Sequence, residues 1–169
     1  VSGDLAVIEK ELQNLPGYQE AAFDLWYSES EESRKAIISA SEYNKMMEFL
    51  DREPVAVSKD GVFLVTGNAG ETITTVPSAM QTFFEENGLT LSVEGNTDSI
   101  ITLSGFTSSI CVLNDAVFEA LQPQMKNITI TAFLYDNWET NSDSPETIKN
   151  KLNSTIESRD ANVIDAYSY

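Results

Sequence analysis

Acidic side chains dominate the chemistry available to this 169-residue chain, which has 27 Asp and Glu against 10 Lys and Arg and a formal net charge of −17. The loop DNWETNSDS at 136–144 gathers several of them. Its Asp136, Glu139, Asn141 and Asp143 offer oxygen ligands of the kind that Ca²⁺ binds, but the loop lacks the central Gly and terminal Glu of an EF-hand. We therefore favour a solvated, helix-capping loop, and we expect no metal and no other cofactor.

The sequence contains few residues that could serve as a catalytic nucleophile or general base. Histidine is absent, which excludes Ser-His-Asp and Cys-His catalysis and most zinc sites. The one cysteine, Cys111, lies in the apolar run SSICVLN, which favours a buried structural thiol over a reactive one. GNAGET at 67–72 lacks the spacing and the Lys of a phosphate-binding loop. Carboxylate pairs of the glycosidase kind arise by chance in so acidic a chain, so we expect no enzymatic activity.

Two acidic loops are the candidate binding surface. A net charge of −17 repels nucleic acid, which we exclude as a partner, and it suits cationic ligands or simply solubility. The loop SESEESRK at 28–35 is interpreted as solvated, with docking of a cationic ligand as the alternative. Trp26 either packs under a helix or is partly exposed for binding. The candidate ligand-binding or partner-binding residues are Glu29, Glu31, Glu32, Asp136, Trp138, Glu139 and Asp143.

Hydrophobic periodicity places these loops among short helices and strands. The pattern predicts a helix at 3–15, a strand at 18–27 and a buried strand at 36–39. A second helix follows, with Ser41 as its N-cap and Asn44 supporting its first turn. Its buried face would carry Tyr43, Met46, Met47 and Leu50.

The pattern in the middle of the chain predicts two hairpins with a helix between them. Residues 55–65 would form one hairpin around an Asp-Gly turn at 58–61, and residues 89–105 another around a loop at 95–98. The helix would run between Pro77-Ser78 and the stop signal Asn87-Gly88. Its buried residues would be Met80, Phe83 and Phe84.

The last third alternates strands with capped helices. A strand at 110–113 precedes a helix capped by Asn114, and the alternating run at 127–135 predicts a central strand. Ser144 caps a further helix before a final strand at 162–169. The inward residues of the first of these helices would be Val117, Phe118 and Leu121.

The irregular mixture of helices, strands and hairpins indicates the α+β class. We expect a mixed, largely antiparallel sheet with about five helices packed on it. No linker, repeat or low-complexity tract divides the sequence, which predicts a single domain over 1–169. Apolar runs fall far short of the roughly 18 residues of a membrane helix. Because the chain begins with Val1, we expect it to be a fragment of a longer protein.

Four segments, taken in order, resemble one family. SASEYNK at 39–45 carries a Ser-x-Ser-x-Tyr-Asn step into a helix, and EPVAV at 53–57 precedes a short hairpin. VLNDAVFEAL at 112–121 has a strand, Asp, aromatic and Leu run before a helix, and YDNW at 135–138 leads from a strand to a helix. Together they resemble the extracytoplasmic domain of an FtsX-like ABC transporter permease. The bacitracin-export type linked to antimicrobial-peptide resistance in Gram-positive bacteria is the most similar branch.

This resemblance implies a non-catalytic domain on the extracellular face of the bacterial cytoplasmic membrane, inserted between two transmembrane helices of its own parent chain. A separate cytoplasmic subunit would supply ATPase activity. The domain would engage a peptide, a lipid-linked target or a partner sensor protein, and a cationic peptide would suit its charge. Coupling to the membrane helices would then serve transport or sensing. An insertion of this kind also places Val1 and Tyr169 at one end of the domain.

Two other classes of function stay open. The alternative is an extracytoplasmic sensor or interaction module of a signalling protein, which one or two membrane spans and a kinase in the parent chain would indicate. A small soluble enzyme or binding protein is the third possibility, and a deep pocket with converging carboxylates of raised pKa would favour it.

Overall fold

The structure is a computed structural model of the chain. It describes residues 10, 13, 18–27, 35–49, 51–66, 72–97, 109–124, 127–134 and 150. The chain forms two compact units, one of Ala22–Thr131 and one of Val1–Ala21 with Ala132–Tyr169. All the site geometry that follows lies within the first unit. The prediction of a single domain over 1–169 stays a prediction.

Six strands and three helices have described bounds. In chain order they are β1 Tyr18–Tyr27, β2 Lys35–Ser39, α1 Ala40–Phe49, β3 Gly61–Val65, α2 Ser78–Glu86, β4 Ser92–Thr97, β5 Ile110–Leu113, α3 Asp115–Leu121 and β6 Asn127–Leu134. A 3₁₀ turn, Gln122–Gln124, follows α3 directly. The order in the sheet is β4-β3-β5-β2-β1-β6.

The sheet is mixed, which confirms the α+β class. β1 with β2 and β3 with β5 are antiparallel, whereas β2 with β5 and β3 with β4 are parallel. These four pairings divide evenly between the two directions, and the expected antiparallel majority stays a prediction. Of the predicted first and last helices the structure describes Lys10, Gln13 and Asn150, which are helical. The count of about five helices stays a prediction.

One face of the sheet packs against α2 and α3. The strands send alternate side chains to this face, and the helices return a 3.6-residue stripe. Cys111 lies at its centre on β5, fully buried, and burial raises the pKa of its thiol to about 12. The predicted buried, structural thiol is confirmed. The core residues are Ile37, Val62, Leu64, Met80, Phe83, Phe84, Cys111, Leu113, Val117, Phe118 and Leu121.

Helix α1 covers the opposite face. Its Tyr43, Met46 and Met47 are all buried, as their spacing predicts. The Tyr43 ring lies 6.2 Å from the ring of Phe63 on β3, measured between centroids. Phe63 alternates with Val62 and Leu64 of the first core, so the sheet is covered on both faces. Leu50 lies outside the described residues.

The long alternating strand stands at the end of the described strand order. Residues 127–135 were expected in the middle of the sheet, and among the described strands that prediction is wrong. The inner positions belong instead to β5, whose four residues are all buried, and to the short apolar strand β2. Alternation marks a strand with one apolar face, whereas a strand covered on both faces is apolar throughout.

The predicted hairpin at 55–65 is wrong as well, and so is the position of the loop predicted at 95–98. β3 pairs with β5 and β4, and residues 55–57 belong to no described strand. β4 continues through Gly95 to Thr97, where a loop was expected. Gly95 is needed there because a Cβ would stand 2.9 Å from the ring of Phe63. The partner proposed for β4 at 99–105 lies outside the described residues.

Candidate functional site

Helix α1 begins at a serine cap, two residues earlier than expected. The Glu42 N–H donates to Ser39 Oγ at 3.2 Å, so Ser39 is the N-cap and the prediction of Ser41 is wrong. Ser41 serves another purpose. Its N–H donates to Asp115 Oδ1 at 2.9 Å, and its hydroxyl donates to Asp115 Oδ2. One carboxylate thus joins the first turns of α1 and α3.

Asn114 caps α3 as predicted. Its Oδ1 accepts from the Ala116 N–H at 3.2 Å, and its Nδ2 donates to the Val57 carbonyl at 3.1 Å. The same side chain therefore closes a helix and holds a distant segment. The start of α3 is thus connected to the first turn of α1 through Asp115 and to the region after α1 through Asn114.

That region is residues 52–57, which we call the strap. Asn44 holds its centre, since its Nδ2 donates to the Val55 carbonyl and its Oδ1 accepts from the Val55 N–H, both at 2.8 Å. The expected role of Asn44 in the first turn of α1 is therefore wrong. A residue presents its own N–H and C=O to the same side only when the backbone is extended. The amide of Asn44 thus occupies the place of a neighbouring strand.

The far end of the strap is fixed by Glu94. Its carboxylate accepts from the Ser58 N–H at 2.9 Å and from the Ser58 hydroxyl at 2.5 Å. Both bonds lower the pKa of Glu94, and the bond from the Ser58 hydroxyl lowers it most. Glu94 is the extra residue of a bulge, because Val62 pairs with Val93 and Phe63 with Gly95. The bulge aims its side chain across Gly61, where any Cβ would collide with the carboxylate.

The near end follows a tight helix stop. The Arg52 N–H donates to the Met47 carbonyl at 2.8 Å, and the Asp51 N–H donates to that of Glu48 at 3.1 Å. This is the Schellman pattern, which requires a left-handed residue after the helix. Asp51 takes that conformation with φ 53°, the one non-glycine residue with positive φ in the described part of the chain.

Two recesses flank the strap, and Arg52 lines both. The larger, about 590 Å³, is an open cleft lined by Ser41, Asn44, Lys45, Glu48, Asp51, Arg52 and Pro54. The smaller, about 220 Å³, is lined by Tyr43, Met47, Arg52, Glu53, Val55, Phe63 and Thr97. Burial raises the pKa of Tyr43, and Arg52 opposes part of that increase. An ion pair of 2.6 Å joins Lys45 to Glu42 beside the larger cleft.

The smaller recess combines apolar and charged side chains, as binding surfaces commonly do. Tyr43, Met47, Val55 and Phe63 supply its apolar lining, and Arg52 and Glu53 supply one charge of each sign. No group of three or more Cys, Asp or Glu that could hold a metal ion occurs among the described residues. Within the same part of the chain, no helix has the length and hydropathy to cross a membrane.

The seven residues predicted to bind a ligand lie outside the described residues, so their positions stay predictions. They are Glu29, Glu31, Glu32, Asp136, Trp138, Glu139 and Asp143. The alternative calcium loop at 136–143 and the placement of Val1 and Tyr169 are untested for the same reason. Sequence reasoning missed the strap. Two features of the sequence could have indicated it. Asn44 is a polar residue beside the buried stripe of α1, and the helix is followed by a short apolar segment that has no strand partner.

Comparison with known proteins adds little to this description. No family model matches the chain, and no curated protein matches it. Among solved structures, the crystal structure of a candidate lipoprotein from Bacillus anthracis is similar, with 14% sequence identity and a TM-score of 0.48. The alignment covers 98% of this chain and 95% of that chain. A likeness of this degree does not establish a common fold.

Proposed function

We propose that the chain is the non-catalytic extracytoplasmic domain of an FtsX-like ABC transporter permease. In this role it engages a peptide, a lipid-linked target or a partner protein outside the membrane. It passes that event to the membrane helices of its parent chain and to a separate cytoplasmic ATPase.

One observation carries the proposal. Three of the four segments that resemble the family, 39–45, 53–57 and 112–121, are joined pairwise by hydrogen bonds of their own side chains. Ser41 binds Asp115, Asn44 binds Val55, and Asn114 binds Val57. Weak matches scattered by chance would not be expected to close such a triangle, because the residues are up to 74 positions apart. The fourth segment, 135–138, lies outside the described residues.

Purification of the parent protein in detergent tests the assignment. A permease should bring with it a separate subunit that hydrolyses ATP, and loss of that subunit should abolish the hydrolysis. A parent that carries its own kinase domain and binds no ATPase would replace this proposal with a sensor of a signalling protein.

Capture of a cationic ligand is a separate part of the proposal, supported by the net charge of −17. A lysine-rich synthetic peptide should bind at about 0.01 M salt, where charges act over about 30 Å, and weaken several-fold at about 0.15 M. A glutamate-rich peptide of equal length is the control. If the lysine-rich peptide does not bind at either salt concentration, electrostatic capture is wrong.

A further inference from the structure

The strap at 52–57 is attached to the molecule in an unusual way. Its central and distal attachments are made by side chains of other elements: Asn44 of α1 at Val55, Asn114 at Val57, and Glu94 of β4 at the adjoining Ser58. A strand in a sheet, by contrast, is held by a ladder of backbone bonds that form cooperatively. A segment fixed at a few points can detach without breaking any pairing within the sheet.

The surface beneath the strap is apolar. Tyr43 and Met47 are 2% and 4% exposed, and they line the recess of about 220 Å³ together with Val55 and Phe63. Val55 belongs to the strap itself, so the strap forms one wall of the recess. Its displacement would enlarge the recess and uncover aromatic and thioether groups, which adapt readily to an apolar ligand group.

Both ends of the strap have features suited to a hinge. Asp51 holds a left-handed conformation that costs a non-glycine residue free energy, so the backbone turns sharply where the strap leaves α1. At the other end, the Ser58–Gly61 turn is closed by the Gly61 N–H donating to the Ser58 carbonyl at 3.2 Å. Strand β3 begins directly after this turn and keeps both of its neighbours, β4 and β5.

We propose that residues 52–57 open and close as a unit, with Asn44 as the latch and the recess between Tyr43, Met47 and Phe63 as the surface that opening uncovers. This device goes beyond the proposed function, because it would operate whether or not the chain belongs to a permease. Local opening of this kind occurs in segments with few buried residues, and Val57 is the one buried residue of the six in the strap.

A cysteine placed beneath the strap reports its opening. In the Met47→Cys chain, native Cys111 on the central strand is an internal reference, because its thiol is exposed only when the sheet opens. Both thiols are labelled in native buffer and separated by peptide mass spectrometry. Met80→Cys is the matched control, since Met80 is also a helical methionine, 1% exposed, but lies in the core on the other face of the sheet.

A hinged strap predicts that the thiol at 47 is labelled at least about tenfold faster than Cys111, with little dependence on urea below the unfolding transition. The thiol at 80 should match Cys111. Adding Asn44→Ala to Met47→Cys should speed labelling at 47 by about tenfold, since two hydrogen bonds of the closed state are lost. Equal rates at 47 and 111, equally fast labelling at 80, or no effect of Asn44→Ala would each overturn the proposal.

Amide exchange in the unsubstituted chain gives a second test that needs no variant. The Val55 N–H, which donates to Asn44, should exchange with a lower free energy of opening than the amide of Val112 on β5. Its opening should also depend less on urea, because less surface is exposed. If the two amides share one free energy and one urea dependence, the strap opens only when the sheet unfolds, and the proposal fails.

Discussion

Helices α1 and α2 end in the same hydrogen-bond pattern, but with different residues at the position that must turn left-handed. After α2, the Leu89 N–H donates to the Phe84 carbonyl at 2.8 Å and the Gly88 N–H to that of Glu85 at 2.9 Å. Gly88 has φ 74° and pays no Cβ penalty. After α1 the equivalent position is Asp51, which has a Cβ and still adopts φ 53°.

The chain that follows each stop is held differently. Beyond α2 it enters β4, where the Ser92 N–H donates to the Asp60 carbonyl at 2.9 Å and the strand pairs with β3. Beyond α1 it enters the strap, which depends on Asn44, Asn114 and Glu94. The same helix stop is therefore followed by a strand with backbone hydrogen bonds after α2, and by a segment held by side chains after α1. An attachment through side chains is lost when a single residue is replaced. Backbone pairing in a sheet tolerates most substitutions that keep the backbone extended.

The largest expected effect comes from the latch. Asn44→Ala removes two hydrogen bonds worth about 1 kcal/mol each, and the better helix propensity of Ala returns about 0.5, so the free energy of unfolding should fall by about 1.5 kcal/mol. Urea denaturation measures it. Asn87→Ala at the end of α2 is the control, because the Asn87 Nδ2 donates one bond of 2.9 Å to Phe83. Equal losses at the two positions would remove the contrast between latch and ladder.

Gly88→Ala should cost about 1 kcal/mol of unfolding free energy. An added Cβ meets nothing within 4 Å, so the loss measures the left-handed backbone alone. Thermal and urea unfolding should agree, with an unchanged urea dependence. No loss of stability would mean that the stop after α2 relaxes to another conformation, and the two helix ends would no longer be comparable.

Asp51→Gly should act in the opposite direction and stabilise the chain by about 0.5 kcal/mol. Glycine removes the Cβ penalty at φ 53°, and the greater freedom of the unfolded chain offsets part of the gain. Asp51→Ala is the matched control and should be no more stable than the parent chain. A loss of stability in Asp51→Gly would show that the aspartate side chain itself holds the hinge.

Sequence reasoning identified the elements better than their partners. The helix between Pro77 and Gly88 and the Asn114 cap were predicted with their buried residues, because caps and apolar stripes are local signals. The parallel pairing of β3 with β4 was not predicted, because it depends on packing between residues that are far apart in the sequence. The turn at Ser58–Gly61 favoured a hairpin between the segments on either side of it. In the structure the segment before the turn is held by the side chains of Asn44 and Asn114 and not by a neighbouring strand.

The candidate site was hidden for a related reason. Asn44 looked like a residue of the first turn because Ser and Asn commonly serve there, and no local pattern shows that its amide reaches Val55. Ser39 and Ser41 were equally good caps by type. Only the position of Asp115, 74 residues further along, decides that Ser41 binds across to α3 and leaves the cap to Ser39.

The smallest effect should come from Glu94, whose ionised carboxylate holds Ser58 at the far end of the strap. Hydrogen bonds from Ser58 hold the pKa of the folded carboxyl below its ordinary 4.5. A carboxyl with a lowered folded pKa stabilises the fold above its unfolded pKa, and that contribution is lost as pH falls through the folded value. Carboxyl NMR should therefore show Glu94 titrating below 4.5.

The matched variants for this prediction are Glu94→Gln and Glu85→Gln, since Glu85 lies on the exposed surface of α2. Glu94→Gln should speed exchange of the Ser58 amide at neutral pH and leave it nearly unchanged from the parent below the folded pKa. Glu85→Gln should have no effect on that amide at either pH. If Glu94 titrates at 4.5 or above, its charge does not help to hold Ser58, and the side chains that hold the strap are those of Asn44 and Asn114.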